Sequence, residues 1–149
     1  MKIFVAIIAF ASFGLFAFTS APVLKGKKLE VSTASAGINF GKLTFAKALK
    51  QAKSSGKLIF IDVYTSWCGP CKQMAKNTFT NEQVGELFNS KFINMKLDAE
   101  LDQDGIKVAQ DYKVTAYPTL LFINGEGKLV KRVVGYQTPE KLISVAEKL

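Results

Sequence analysis

Trp67-Cys68-Gly69-Pro70-Cys71-Lys72 closely follows a largely apolar run at residues 57–64 and holds the only two cysteines of the chain. Two thiols three positions apart, where a strand gives way to a helix, suit one reaction above others. One sulfur attacks a disulfide and the other resolves the mixed intermediate. Gly69-Pro70 shapes the turn, Pro70 supplying a helix-start φ without losing a needed donor. A static structural disulfide is the blander reading, but so short a loop constrains little chain. Zinc is a poor alternative, because two cysteines cannot complete a tetrahedral site within one chain. The 149 residues include no histidine, which also removes His-based acid–base chemistry and a Cys–His pair. No metal is expected.

Working outward, the apolar run 57–64 reads as a central strand covered on both faces, with Asp62 out of place in it. Residues 43–53 carry apolar positions 45, 46, 48, 49 and 52, a helix with one buried face that Ser54-Ser55-Gly56 stops. The helix opened by the two cysteines is expected to break early. Thr80-Asn81-Glu82-Gln83 resembles a capping box ahead of a new helix that buries Val84, Leu87 and Phe88. Residues 92–97 read as a strand, 103–111 as a short helix and 117–124 as a strand reached through Pro118. Asn124-Gly125-Glu126-Gly127 is a hairpin turn into strand 129–134, and Thr138-Pro139-Glu140 caps the last helix. The expected fold is α/β: a mixed sheet of four to five strands with helices on both faces. Phe79, Phe88, Phe92 and Phe122 are assigned to its core.

The first residues differ from the rest. Met1-Lys2 precedes an uncharged run at 3–18 and the small residues Thr19-Ser20-Ala21, the pattern of a secretory signal. As a helix the run spans about 24 Å, short for a bilayer core of about 30 Å. Pro22 is a poor neighbour for cleavage after Ala21, so residues 1–21 are read as a signal peptide or an uncleaved anchor. Residues 22–36 read as a linker with a short strand near 29–31, and 37–149 as the folded domain. The protein is expected outside the cytoplasm, periplasmic or extracytoplasmic, held to the inner membrane if residues 3–18 remain.

Net charge is +8, and residues 1–21 hold one lysine and no acid, leaving +7 on the remainder. The lysines are scattered apart from Lys25, Lys27 and Lys28, with no basic stripe interleaved with aromatics, so no nucleic-acid partner is expected.

On these residues, from about 40 to 149, the chain resembles the thioredoxin superfamily. Asp62, six residues before Cys68, matches the family's buried acid, Lys96 the lysine beside it, Pro118 the cis-proline facing the active site and Gly135 the glycine before the last helix. The resemblance implies that Cys68 is the nucleophile and Cys71 the shielded resolving thiol. It makes Asp62 a proton shuttle for Cys71, set against a purely structural pair with Lys96. Trp67, Gly69, Pro70, Tyr117 and Pro118 would form the substrate surface, although Trp67 fits a core position nearly as well. Lys72 reads as solvated. The family's mid-helix proline falls at Lys76, so a kink there is absent or differently made. Thr78-Phe79 and Val84 are closer to the thioredoxin-like domains of exported electron-transfer proteins, including the C-terminal domain of transmembrane thiol–disulfide interchange proteins.

The resemblance implies an exported thiol–disulfide oxidoreductase that reduces or exchanges protein disulfides through Cys68 and Cys71, with no cofactor beyond that redox-active disulfide. A Gly-Pro dipeptide goes with the reducing end of the family. The expected partners are disulfide-containing proteins and a membrane-embedded dithiol electron donor, and the chain is expected to act as a monomer. The alternatives are a disulfide oxidant or isomerase, and a non-catalytic thioredoxin-like binding module.

Overall fold

Strand β1 (Leu58–Tyr64) is the axis of the sheet, and its run of β-branched and aromatic side chains is buried on both faces as a central strand requires. The computed structural model describes residues 37–149; the signal or anchor, the linker and the short strand near 29–31 lie outside the described residues. Around β1 the order is β2-β1-β3-β4, with β2 (Phe92–Asp98) parallel to it. β3 (Thr119–Ile123) and β4 (Leu129–Val134) continue antiparallel. The register pairs Asp62 with Lys96, which puts both side chains on one face.

Helices cover both faces. Helices α1 (Phe45–Ser55) and α4 (Gln103–Asp111) pack over Ile59, Ile61, Val63, Met95, Leu121 and Ile123. On the other face α3 (Glu82–Lys91) and α5 (Pro139–Glu147) cover Phe60, Leu120 and Phe122. Met74 and Phe79 join that second cluster from the segment after the cysteines. Phe79, Phe88, Phe92 and Phe122 are all buried, as expected of core aromatics.

Three boundaries differ from the sequence expectation. Helix α1 starts at Phe45 because Thr44 caps it, and runs through Ser54 and Ser55 until Gly56 turns the chain at φ 72°. Asn81, not Thr80, caps α3: its side chain accepts the Val84 N–H at 3.1 Å, so the box is shifted by one residue. Leu87 is half-buried, while Val84 and Phe88 are fully buried. Strand β3 begins at Thr119 because Pro118 has no N–H to give a ladder.

The cysteine helix α2 (Gly69–Gln73) does break early. At the position of the family's proline it widens into a π-helical turn, Met74–Thr78, closed by the Phe79 N–H on the Met74 carbonyl at 2.9 Å. Lys76 is exposed within that turn. The irregularity is therefore present and made by an i→i−5 bond instead of a proline.

Candidate active site

Cys68 and Cys71 form a disulfide at the start of α2, with Cα atoms 5.3 Å apart. Cys68 is the N-cap residue, and its Sγ accepts the Cys71 N–H at 3.1 Å. That N–H favours negative charge on Cys68 once the bond is opened, as do the aligned peptide dipoles. Both cysteines are buried in the disulfide form, Cys68 at 3% exposure and Cys71 at 2%. Gly69 and Pro70 are exposed, and a side-chain carbon built at Gly69 would meet nothing within 4 Å. The Gly69 side is thus open to an approaching chain.

Trp67 is 64% exposed, which rules out the core position. Its indole N–H donates to both carboxylate oxygens of Glu100 at 3.0 Å, and its ring meets Tyr117 edge-on at 5.9 Å. The Tyr117-Pro118 peptide bond is cis, and Pro118 is buried. The Pro118 carbonyl accepts the Gly135 N–H at 2.8 Å, where Gly135 sits at φ 87°, so the glycine ahead of the last helix ties down the proline loop. The Thr119 hydroxyl donates to the Ala116 carbonyl at 2.7 Å and fixes the other side of that loop. Lys72 is exposed, as expected.

Asp62 is completely buried on β1, with Lys96 from β2 donating to its Oδ2. Its other oxygen, Oδ1, is buried without a hydrogen-bond partner. Burial pushes the Asp62 carboxyl above the ordinary carboxylate value, and the Lys96 ammonium only partly offsets it. Lys96 keeps about a quarter of its side chain exposed. It forms part of the wall of a surface depression of about 540 Å³ between residues 40–44 and 96–104. The pair therefore has a path to solvent on its Lys96 side. The Thr65 hydroxyl, at the end of β1, is also buried without a partner.

Sequence reasoning missed the groups around these residues. Three rings face the Lys96 ammonium: Tyr64 at 3.9 Å, Phe79 at 5.5 Å and Phe40 at 5.9 Å from ring centre to Nζ. The strand period could have flagged Tyr64, two residues from Asp62 and on the same face. Glu100 under Trp67 had no signal, because the loop after β2 has no period to read.

A model of the thioredoxin-like domain family matches residues 45–149. The chain belongs to the thioredoxin-like family. An H-type thioredoxin of Fagopyrum esculentum is 36% identical over 97 residues, covering 65% of this chain and 77% of the relative. The thiol:disulfide interchange protein DsbD of Tatumella citrea is 31% identical over 66% of this chain, which spans only 17% of that larger protein. Among solved structures, a putative disulphide-isomerase from Bacteroides thetaiotaomicron is 46% identical with a TM-score of 0.64. That match covers 74% of this chain and 92% of the relative. The thioredoxin-like chain is thus a protein thiol–disulfide oxidoreductase, and it carries the Cys68–Cys71 pair. Such domains need no cofactor. Among the described residues no group of three or more metal-ligating side chains is assembled, and no helix is long and apolar enough to cross a membrane.

Proposed function

We propose that the protein is an exported reductase of protein disulfides, recharged by a membrane-embedded dithiol donor. The observation that carries the reading is the Cys68–Cys71 disulfide at a helix N-cap, with Gly69-Pro70 between the sulfurs and the buried Asp62–Lys96 pair on the preceding strand. In the reduced protein the Cys68 thiolate attacks a substrate disulfide. A Cys68–substrate bond forms, and one substrate sulfur leaves and takes a proton. Cys71 then gives its proton to Asp62, whose unpartnered Oδ1 is free to receive it. The Cys71 thiolate attacks Cys68 Sγ, the intramolecular disulfide closes and the second substrate thiol is released. Asp62 passes its proton to that leaving sulfur and the first substrate sulfur takes its proton from solvent, so the substrate has gained two electrons and two protons, and the donor dithiol returns the electrons.

Trp67, Gly69, Pro70, Tyr117 and Pro118 form the surface that receives an extended substrate segment, with strand-like bonds to the Tyr117 backbone. Export rests on the signal-like residues 1–21 and makes the working compartment periplasmic or otherwise extracytoplasmic, with 3–18 as an anchor if retained. Reduction outside the cytoplasm needs electrons carried across the membrane, which is the reason for the donor. A second reading, a disulfide isomerase, is favoured by the description of the Bacteroides relative.

The equilibrium redox potential of the full chain, against a glutathione or dithiothreitol series, tests the proposal. A value near about −270 mV supports the reductase, and one near −120 to about −180 mV replaces it with an oxidant or isomerase. A pair that does not cycle leaves only a binding module.

A further inference from the structure

Residues 37–41 lie ahead of the region that the family model matches, yet they are built into the domain. The Ile38 N–H donates to the Phe79 carbonyl at 2.7 Å and the Gly41 N–H to the Asn94 carbonyl at 3.0 Å. Asn89 holds the segment from both sides, accepting the Asn39 N–H at 2.8 Å and donating to the Gly37 carbonyl at 3.0 Å. Two glycines allow this closeness. A side-chain carbon at Gly37, which sits at φ 107°, would fall 2.3 Å from the Phe79 carbonyl oxygen, and one at Gly85 would fall 2.4 Å from the Gly37 carbonyl oxygen.

The consequence is the position of Phe40. Its ring lies edge-on to Phe79 at 5.3 Å and tilted on Phe60 at 6.3 Å, with its centre 5.9 Å from the Lys96 ammonium. With Tyr64 and Phe79 it completes three sides round a cation whose hydrogen-bond partner is Asp62. Aromatic faces attract an ammonium while excluding the water that would compete for it.

We infer that Phe40 is a positioning residue for the redox site: its ring keeps the Lys96 ammonium against Asp62 and so sets the pH range in which Asp62 accepts the Cys71 proton. This rests on the relay reading of Asp62 given above. The charged and titratable groups around the pair are Asp62 and Tyr64 on β1, Lys96, Asp98 and Asp102 on and after β2, and Lys42 and Asp104 along the shared depression. Lys72 and Lys76, on α2 and the π-turn, are exposed. Burial and the neighbouring carboxylates hold the Tyr64 phenol above its ordinary value, so its ring remains neutral at working pH. Without Phe40 the ammonium is free to turn into the depression. Asp62 then loses the one influence that lowers its pKa, and burial pushes it further up. A base that ionises at higher pH moves the rise of activity to higher pH.

The test uses the full chain with Phe40→Leu, which removes the ring and keeps apolar bulk, beside Phe40→Tyr, which keeps the ring. Asp62 is titrated by carboxyl-carbon NMR in the oxidised protein, and the pH profile of disulfide reduction is recorded in parallel. Phe40→Leu is expected to raise both midpoints by about half a pH unit, roughly a threefold loss of rate on the acid side, with Phe40→Tyr close to the parent. Gly37→Ala, which lifts the segment without touching a ring, should shift both midpoints the same way. An unmoved Asp62 midpoint in folded Phe40→Leu and Gly37→Ala proteins overturns the inference. Asp62→Asn separates the two ideas: if it leaves the turnover profile unchanged, the relay falls, whatever Phe40 does to the carboxyl.

Discussion

Under the proposed relay, Asp62 sets stability against chemistry in a single side chain. Its carboxyl is wholly buried, meets one cation and leaves one oxygen without a partner. Its folded pKa lies above the ordinary 3.8, so the folded chain holds a proton that the unfolded chain releases. Stability therefore falls as pH rises from about 4 towards the folded midpoint. Asp62→Asn should abolish that slope and stabilise the protein at pH 7 by about 1–2 kcal/mol, because the Lys96 left behind is partly exposed and reaches water. Urea unfolding at pH 4 and pH 7 checks this: the advantage of the variant must grow with pH. The acid was legible in the sequence because a lone carboxyl in an apolar strand has few uses. Phe40 was not, since nothing in its local spacing says that it folds back on a lysine 56 positions later.

At the scale of elements, the sequence named every α-helix and strand among the described residues but not the π-turn, while their exact ends depended on side-chain geometry. Residues 103–111 and 129–134 match α4 and β4 as observed. Helix α3 does not: either Thr80 or Asn81 could cap it, and only the folded backbone points Asn81 at the Val84 N–H. Asn81→Ala should cost about 1 kcal/mol, and Thr80→Ala clearly less, in denaturant unfolding of the two variants. Equal losses would mean that the two residues share the cap. The π-turn at Met74–Thr78 lay beyond pattern reading for the same reason. Its i→i−5 bond depends on how Met74 and Phe79 are drawn into the core under α3 and α5, a demand no local propensity encodes.

For the molecule as a whole, the proposed function makes the disulfide a working part and not a structural brace. It links residues only three apart, so opening it should lower stability by at most about 2 kcal/mol. Denaturant midpoints with and without reductant measure that difference, and complete unfolding on reduction would make the bond structural instead. By itself the sequence determined the fold class, the cysteine pair and the acid inside the central strand, while Lys96 was indicated only by the family resemblance. These follow from short-range facts: a cysteine spacing, a proline at a helix start, a charge inside an apolar run. Only the tertiary structure decided which aromatic rings surround Lys96, that Glu100 holds the Trp67 indole at the surface, and that residues 37–41 pack against Phe79, Asn89 and Asn94. Those contacts join residues far apart in the chain, and their partners are chosen by how the sheet and its two helical layers pack, not by any pattern along the chain.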